Sequence, residues 1–102
     1  MIIGDFVYIY LFDLEKSIVN MKQLREDRFG KIIDIKEIES RISDNVFLYS
    51  IQLKNGSIIN YRTDNVVTNI ISLQELIELI GKANISSEKR RMILEQINGF
   101  VF

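Results

Sequence analysis

The stretch FLYSIQLKNGSIINYRTDNVV, residues 47–67, constrains the fold of this chain more than any other. Two alternating apolar runs meet at Asn55-Gly56, a strong short-range signal for a β-hairpin. Burial decides its register. A two-residue loop at 55–56 sets Ile51 opposite Asn60, so the stripe Phe47, Tyr49, Ile51, Leu53 shares its face with Asn60 and Arg62. A three-residue loop at 54–56 sets Leu53 opposite Ser57, Ile51 opposite Ile59 and Tyr49 opposite Tyr61, and the apolar partners then fall on one face. A one-residue slip turns a whole strand over. The second register is therefore expected, a type I turn closed by a left-handed Gly56 in a G1 bulge.

Around the hairpin lie further strand signals. FVYIYLF (6–12) puts Phe6, Tyr8, Tyr10 and Phe12 on one face and Val7, Ile9 and Leu11 on the other, so both faces need cover. Gly4-Asp5 before it signals a turn. KIIDIKEI (31–38) is rich in β-branched residues and reads as a second strand, and ESRISDN (39–45) as a turn. A tight turn at Asp64-Asn65 leads into a last strand around 66–70. Residues 13–30 are polar, with Ile18, Met21 and Leu24 at helical spacing. Two readings stay open there: a short helix near 18–27, or a long, partly ordered excursion, ended by Gly30.

After Ser72 the period changes from 2 to 3.6. Leu73, Leu76, Ile77 and Ile80 form a stripe, Ser72 and Glu75 a capping box, and Gly81 sits where a C′ glycine belongs. A second helix starts after Ser86 or Ser87, carries Glu88 in its first turn, and runs through Met92, Ile93 and Ile97 to Asn98-Gly99. The tail Phe100-Val101-Phe102 is apolar.

The order Gly4-Asp5-x-Val7, Gly30-Lys31-Ile32-Ile33-Asp34-Ile35, then Tyr49-x-Ile51-x-Leu53-x-Asn55-Gly56 with Tyr61 and Asn65-Val66 following resembles small SH3-like barrels of the Tudor and KOW type. The resemblance covers about residues 3–70 and is a pattern of turns and apolar positions. It implies a five-stranded antiparallel barrel, with binding to proteins or nucleic acids. The excursion at 13–29 takes the place of the long loop between the first two strands, a loop that often carries ligand-binding residues, though no family motif stands in it here. The fold expected is α+β in a single domain, 1–102: an SH3-like barrel over 3–70, two helices over 72–98 packed on it, and a tail at 99–102.

Composition excludes several chemistries. The chain lacks Cys and His, so disulfides, thiolate or imidazole metal ligands and Ser-His or Cys-His catalysis are ruled out. A net charge of −1 provides no bulk attraction to a phosphate backbone. The acid pairs Asp13/Glu15, Glu37/Glu39 and Glu75/Glu78 come with no sign of the pocket that acid–base work needs. No enzyme, cofactor or metal site is expected. No signal peptide or membrane span is read, which with the missing cysteine suggests the cytoplasm. The 19 Ile, 8 Asn and single Ala suggest an AT-rich genome, and with it a phage or mobile-element protein that inhibits or adapts a host complex.

Three surfaces compete for function. A protein partner is expected to meet Tyr8, Tyr10 and Phe12 together with Lys22, Arg25 and Arg28 of the excursion. The competing use of the aromatic row is as a floor for the two helices, whose stripes otherwise have nothing to bury. Tyr49 and Tyr61 read as a cross-strand core pair sooner than as an aromatic cage for a methylated cation. The alternative function is nucleic-acid binding through Lys82, Lys89, Arg90 and Arg91, which as a solvated helix face need no ligand. The third is self-association through Phe100, Val101 and Phe102.

Overall fold

The computed structural model describes residues 1–11, 13–38, 46–65 and 67–100. Among these, the chain forms β1 (Phe6–Leu11), α1 (Leu14–Asn20), a 3-10 turn (Glu26–Arg28), β2 (Phe29–Ile38), β3 (Val46–Leu53), β4 (Ile58–Arg62), β5 (Thr68–Ser72), α2 (Leu73–Lys82) and α3 (Ser87–Asn98). Five antiparallel strands are followed by two helices, in the sheet order β4-β3-β2-β1-β5. The expected barrel is not closed, because β4 and β5 remain the two edges of the sheet.

The hairpin has the register that burial demanded. Tyr49 pairs with Tyr61 and Ile51 with Ile59. Gly56 has φ +90°, its N–H donates to the Leu53 carbonyl at 2.9 Å, and Leu53 N–H donates to the Ser57 carbonyl at 2.8 Å. The rings of Tyr49 and Tyr61 lie nearly parallel, 6.3 Å apart, as a core pair. Gly4, at φ +95°, makes the turn before β1.

Two apolar cores lie on opposite faces of β1. Val7 and Ile9 join Ile32, Ile51 and Tyr61 beneath the curled sheet, with Ile59 of β4 and Ile70 of β5 packed against them. Both edge strands thus share one core without hydrogen bonding to each other. The curl is helped by an irregularity in β2 between Ile32 and Asp34, where the β3 register shifts. On the other face Tyr8 joins Phe29 and the buried sides of α1, α2 and α3. Tyr8, with Phe6 and Tyr10 packed against the same cluster, thus serves as the floor of the helical layer, the structural use that competed with a partner surface.

Gly30 lies within β2 rather than ending the excursion. A Cβ there would run into Ile51 Cγ2 and stand 3.1 Å from the Gln52 carbonyl, so the strands approach closely at this point.

The helices differ in detail from their expected outlines. Ser72 caps α2 by accepting from Glu75 N–H, and Ser86 caps α3 by accepting from Lys89 N–H. Leu73, Leu76 and Ile80 are buried, whereas Ile77 and Met92 are exposed. Gly81 is not a C′ residue; α2 continues through it to Lys82 and stops at Ala83 in an extended conformation. The reason is Arg90, whose guanidinium donates to the carbonyls of Ile80, Ala83 and Ile85 at 3.2, 2.9 and 3.4 Å. A side chain from the next helix supplies the donors that a left-handed glycine would otherwise arrange. Among the described residues, no helix is long and apolar enough to cross a membrane.

Candidate interaction groove beside the first strand

The excursion between β1 and β2 is ordered, and its helix comes earlier than the spacing of Ile18, Met21 and Leu24 indicated. Asp13 starts it by accepting from Lys16 N–H at 3.2 Å, which makes Leu14 the first helical residue. Leu14 and Ile18, one turn apart, are both buried. After Asn20 the backbone leaves the helix, so Leu24 enters the core from an extended segment.

Three contacts fix the excursion. The Gln96 amide grips Leu24 at both polar backbone atoms: Oε1 accepts from Leu24 N–H at 2.8 Å and Nε2 donates to the Leu24 carbonyl at 2.6 Å. The Tyr8 hydroxyl accepts from Arg25 N–H at 3.4 Å. Lys89 Nζ donates to the Val19 carbonyl at 2.8 Å, near the end of α1.

Held this way, the excursion leaves a concavity of about 180 Å³ against β1. Its lining includes Tyr8, Tyr10, Leu14, Met21, Arg25 and Arg28. Arg25 is forked onto Asp27, with Nε–Oδ1 3.1 Å and Nη2–Oδ2 2.7 Å, and this holds the Asp27 carboxyl below its usual range. Arg28 is half-buried and, among the described residues, forms no ion pair. Burial pushes the Tyr8 phenol up, partly offset by the Arg25 backbone bond and by the nearby Arg28 and Arg25 charges. Since the unfolded chain ionises first, the Tyr8 contribution to stability declines as pH rises beyond the ordinary tyrosine range near ~10.

The groove thus brings together Tyr8, Tyr10, Arg25 and Arg28. Tyr8 is 3 % exposed and offers little beyond a floor, which corrects its placement on a partner surface. Lys22 lines a different concavity, of about 350 Å³, between α1 and the start of α3. Phe12 lies outside the described residues. Ser17 and Leu14 of α1 also line the groove and were not singled out in the sequence; the cap at Asp13, which puts both on one helix, was the signal that could have found them.

The basic cluster is divided between tasks. Arg90 and Lys89 stabilise the carbonyl ends of other helices, while Lys82 and Arg91 remain exposed. Arg90→Met keeps the aliphatic stem but strips donors from three carbonyls, and should cost about 1–3 kcal/mol in thermal or denaturant unfolding. Wild-type stability in that variant would reject the capping role.

Phe100 is also an inside residue. It is 3 % exposed, its ring stacks on Phe29 at 3.9 Å, and Lys54 Nζ sits 4.9 Å from its centroid. It therefore offers no surface for self-association; Val101 and Phe102 lie outside the described residues. Among the described residues no group of His, Cys, Asp or Glu is arranged to hold a metal ion. The chain matches no protein-family model, no curated protein and no solved structure.

Proposed function

We propose that this protein is a non-enzymatic binding module that docks a segment of a protein partner in the groove between β1 and the excursion. The observation that carries the reading is the concavity itself, where a half-exposed tyrosine, a methionine and a guanidinium with no ion pair among the described residues converge on a buried floor. Tyrosine and arginine dominate interface energetics, and methionine adapts to varied shapes. At about 180 Å³ the groove is below the roughly 300–1,000 Å³ of small-molecule sites. It suits one or two side chains of a larger ligand.

We also read the scaffold as SH3-like. Support comes from the strand order, with the first strand between the second and the last, from the long first connection, and from the G1-bulged hairpin. In this reading the excursion is the elaborated loop that carries the ligand site.

The test is a random-peptide display selection on the immobilised chain, repeated with Ser17→Gln, which fills the groove from a half-buried helix position in its lining. Peptides enriched on the wild type should bind the variant about tenfold or more weakly. Absence of enrichment, or equal binding to both proteins, would remove the reading.

A further inference from the structure

The groove has an electrostatic imbalance that its apolar lining makes consequential. Among the described residues no carboxylate lines it: Arg25 and Arg28 are the charged members, and Asp27, which answers Arg25, stands outside the lining. Among the described residues Arg28 forms no ion pair at half burial, and the neighbouring Asp27 feels its charge without a direct bond. A cation withdrawn from water and given no partner is unfavourable, and a matching anion relieves it. The Tyr10 hydroxyl also has no partner among the described residues and lies in the same lining.

We propose that the groove recognises a glutamate side chain projected by the partner protein, with Arg28 as its counter-ion and the apolar walls receiving its methylene stem. This rests on the protein-docking reading above. Three observations favour such an occupant over a free inorganic anion. The lining is dominated by Leu14, Met21 and two tyrosine rings, which a hydrated phosphate would not bury. The volume of about 180 Å³ matches a side chain. A single guanidinium without an ion pair among the described residues suits one monovalent carboxylate, to which its planar fork can donate two parallel hydrogen bonds.

The experiment is a titration of the ¹⁵N-labelled full chain, followed by amide shifts, with the blocked tripeptides Ac-Leu-Glu-Leu-NH₂ and Ac-Leu-Gln-Leu-NH₂ and with inorganic phosphate. The glutamate peptide should move the amides of Tyr10, Ser17, Met21 and Arg28 and bind about tenfold more tightly than its glutamine analogue. Arg28→Gln should abolish that preference while leaving the weaker glutamine peptide unchanged, an effect that a purely structural role of Arg28 would not produce. Equal binding of the two peptides at the groove would overturn the glutamate proposal and leave the docking reading standing. Phosphate moving the same amides in preference to the glutamate peptide would overturn it in favour of a free anion. If no probe moves those amides at millimolar concentration, the proposal falls, and the display selection alone decides the docking reading.

Discussion

Phe100→Ala should lower the unfolding free energy by about 3–5 kcal/mol, the range for removing a buried phenylalanine from a packed core. The ring stacks on Phe29 at 3.9 Å, and Phe29 in turn meets Tyr8 edge-on at 4.8 Å. Loss of Phe100 thus leaves a void under the strand that floors the groove. Domains of this size have only about 5–15 kcal/mol of net stability, so the variant should be soft at ordinary temperature. Phe100→Leu separates the two parts of the effect: it keeps most of the volume and loses the aromatic contact, worth about 0.5–1.5 kcal/mol. Urea unfolding gives both values. Sizing of folded wild type and Phe100→Leu should return the same mass, since the ring is internal; a mass that falls on substitution would instead make Phe100 an interface residue.

The second large effect concerns Gln96. Gln96→Ala should cost about 1–3 kcal/mol, because Leu24 N–H and C=O lose their partners in a part-buried place. Gln96→Glu is the sharper probe. At neutral pH the new carboxylate still accepts from Leu24 N–H but sets a second oxygen against the Leu24 carbonyl, where Nε2 donates in the wild type. Once protonated, the same group can donate again. The carboxyl is therefore expected to have a folded pKa above its unfolded value of ~4.3. A group raised on folding contributes stability that is fully present below the unfolded pKa and is lost as pH rises through the folded one. The deficit of Gln96→Glu relative to wild type should thus shrink as pH falls through the raised folded pKa toward ~4.3, and be smallest below that. A deficit that stays constant or widens on acidification would reject the two-point grip on Leu24.

These residues also explain how much was legible beforehand. The hairpin could be read because alternation and turn chemistry act over a few positions, and one register alone buried the apolar partners. The covering of Tyr8 by helices followed from the same need: two amphipathic stripes require an apolar floor. The excursion could not be outlined, because what fixes it comes from far away. Gln96 and Leu24 are 72 positions apart, and Lys89 and Val19 are 70 apart. A glutamine and a lysine on a polar helix face look solvated until the fold brings backbone to them. The end of α2 was misread for a similar reason: Gly81 is locally a good stop, but Arg90 made a glycine cap unnecessary. The partner-surface assignment of Tyr8 failed on burial, while Arg25 and Arg28 reached the groove through the short 3-10 turn that precedes β2.

The long span of the Gln96–Leu24 grip has a consequence for the order of events as the chain folds. Contacts within the hairpin close loops of a few residues, whereas those that seat the excursion must wait until α3 has found its place, and loop-closure entropy delays them further. The framework can therefore be assembled while the groove is still absent. On the proposed reading the docking groove forms in the last step of folding, and an influence that loosens α3, even one far from Arg28, is expected to remove the groove before it disturbs the sheet.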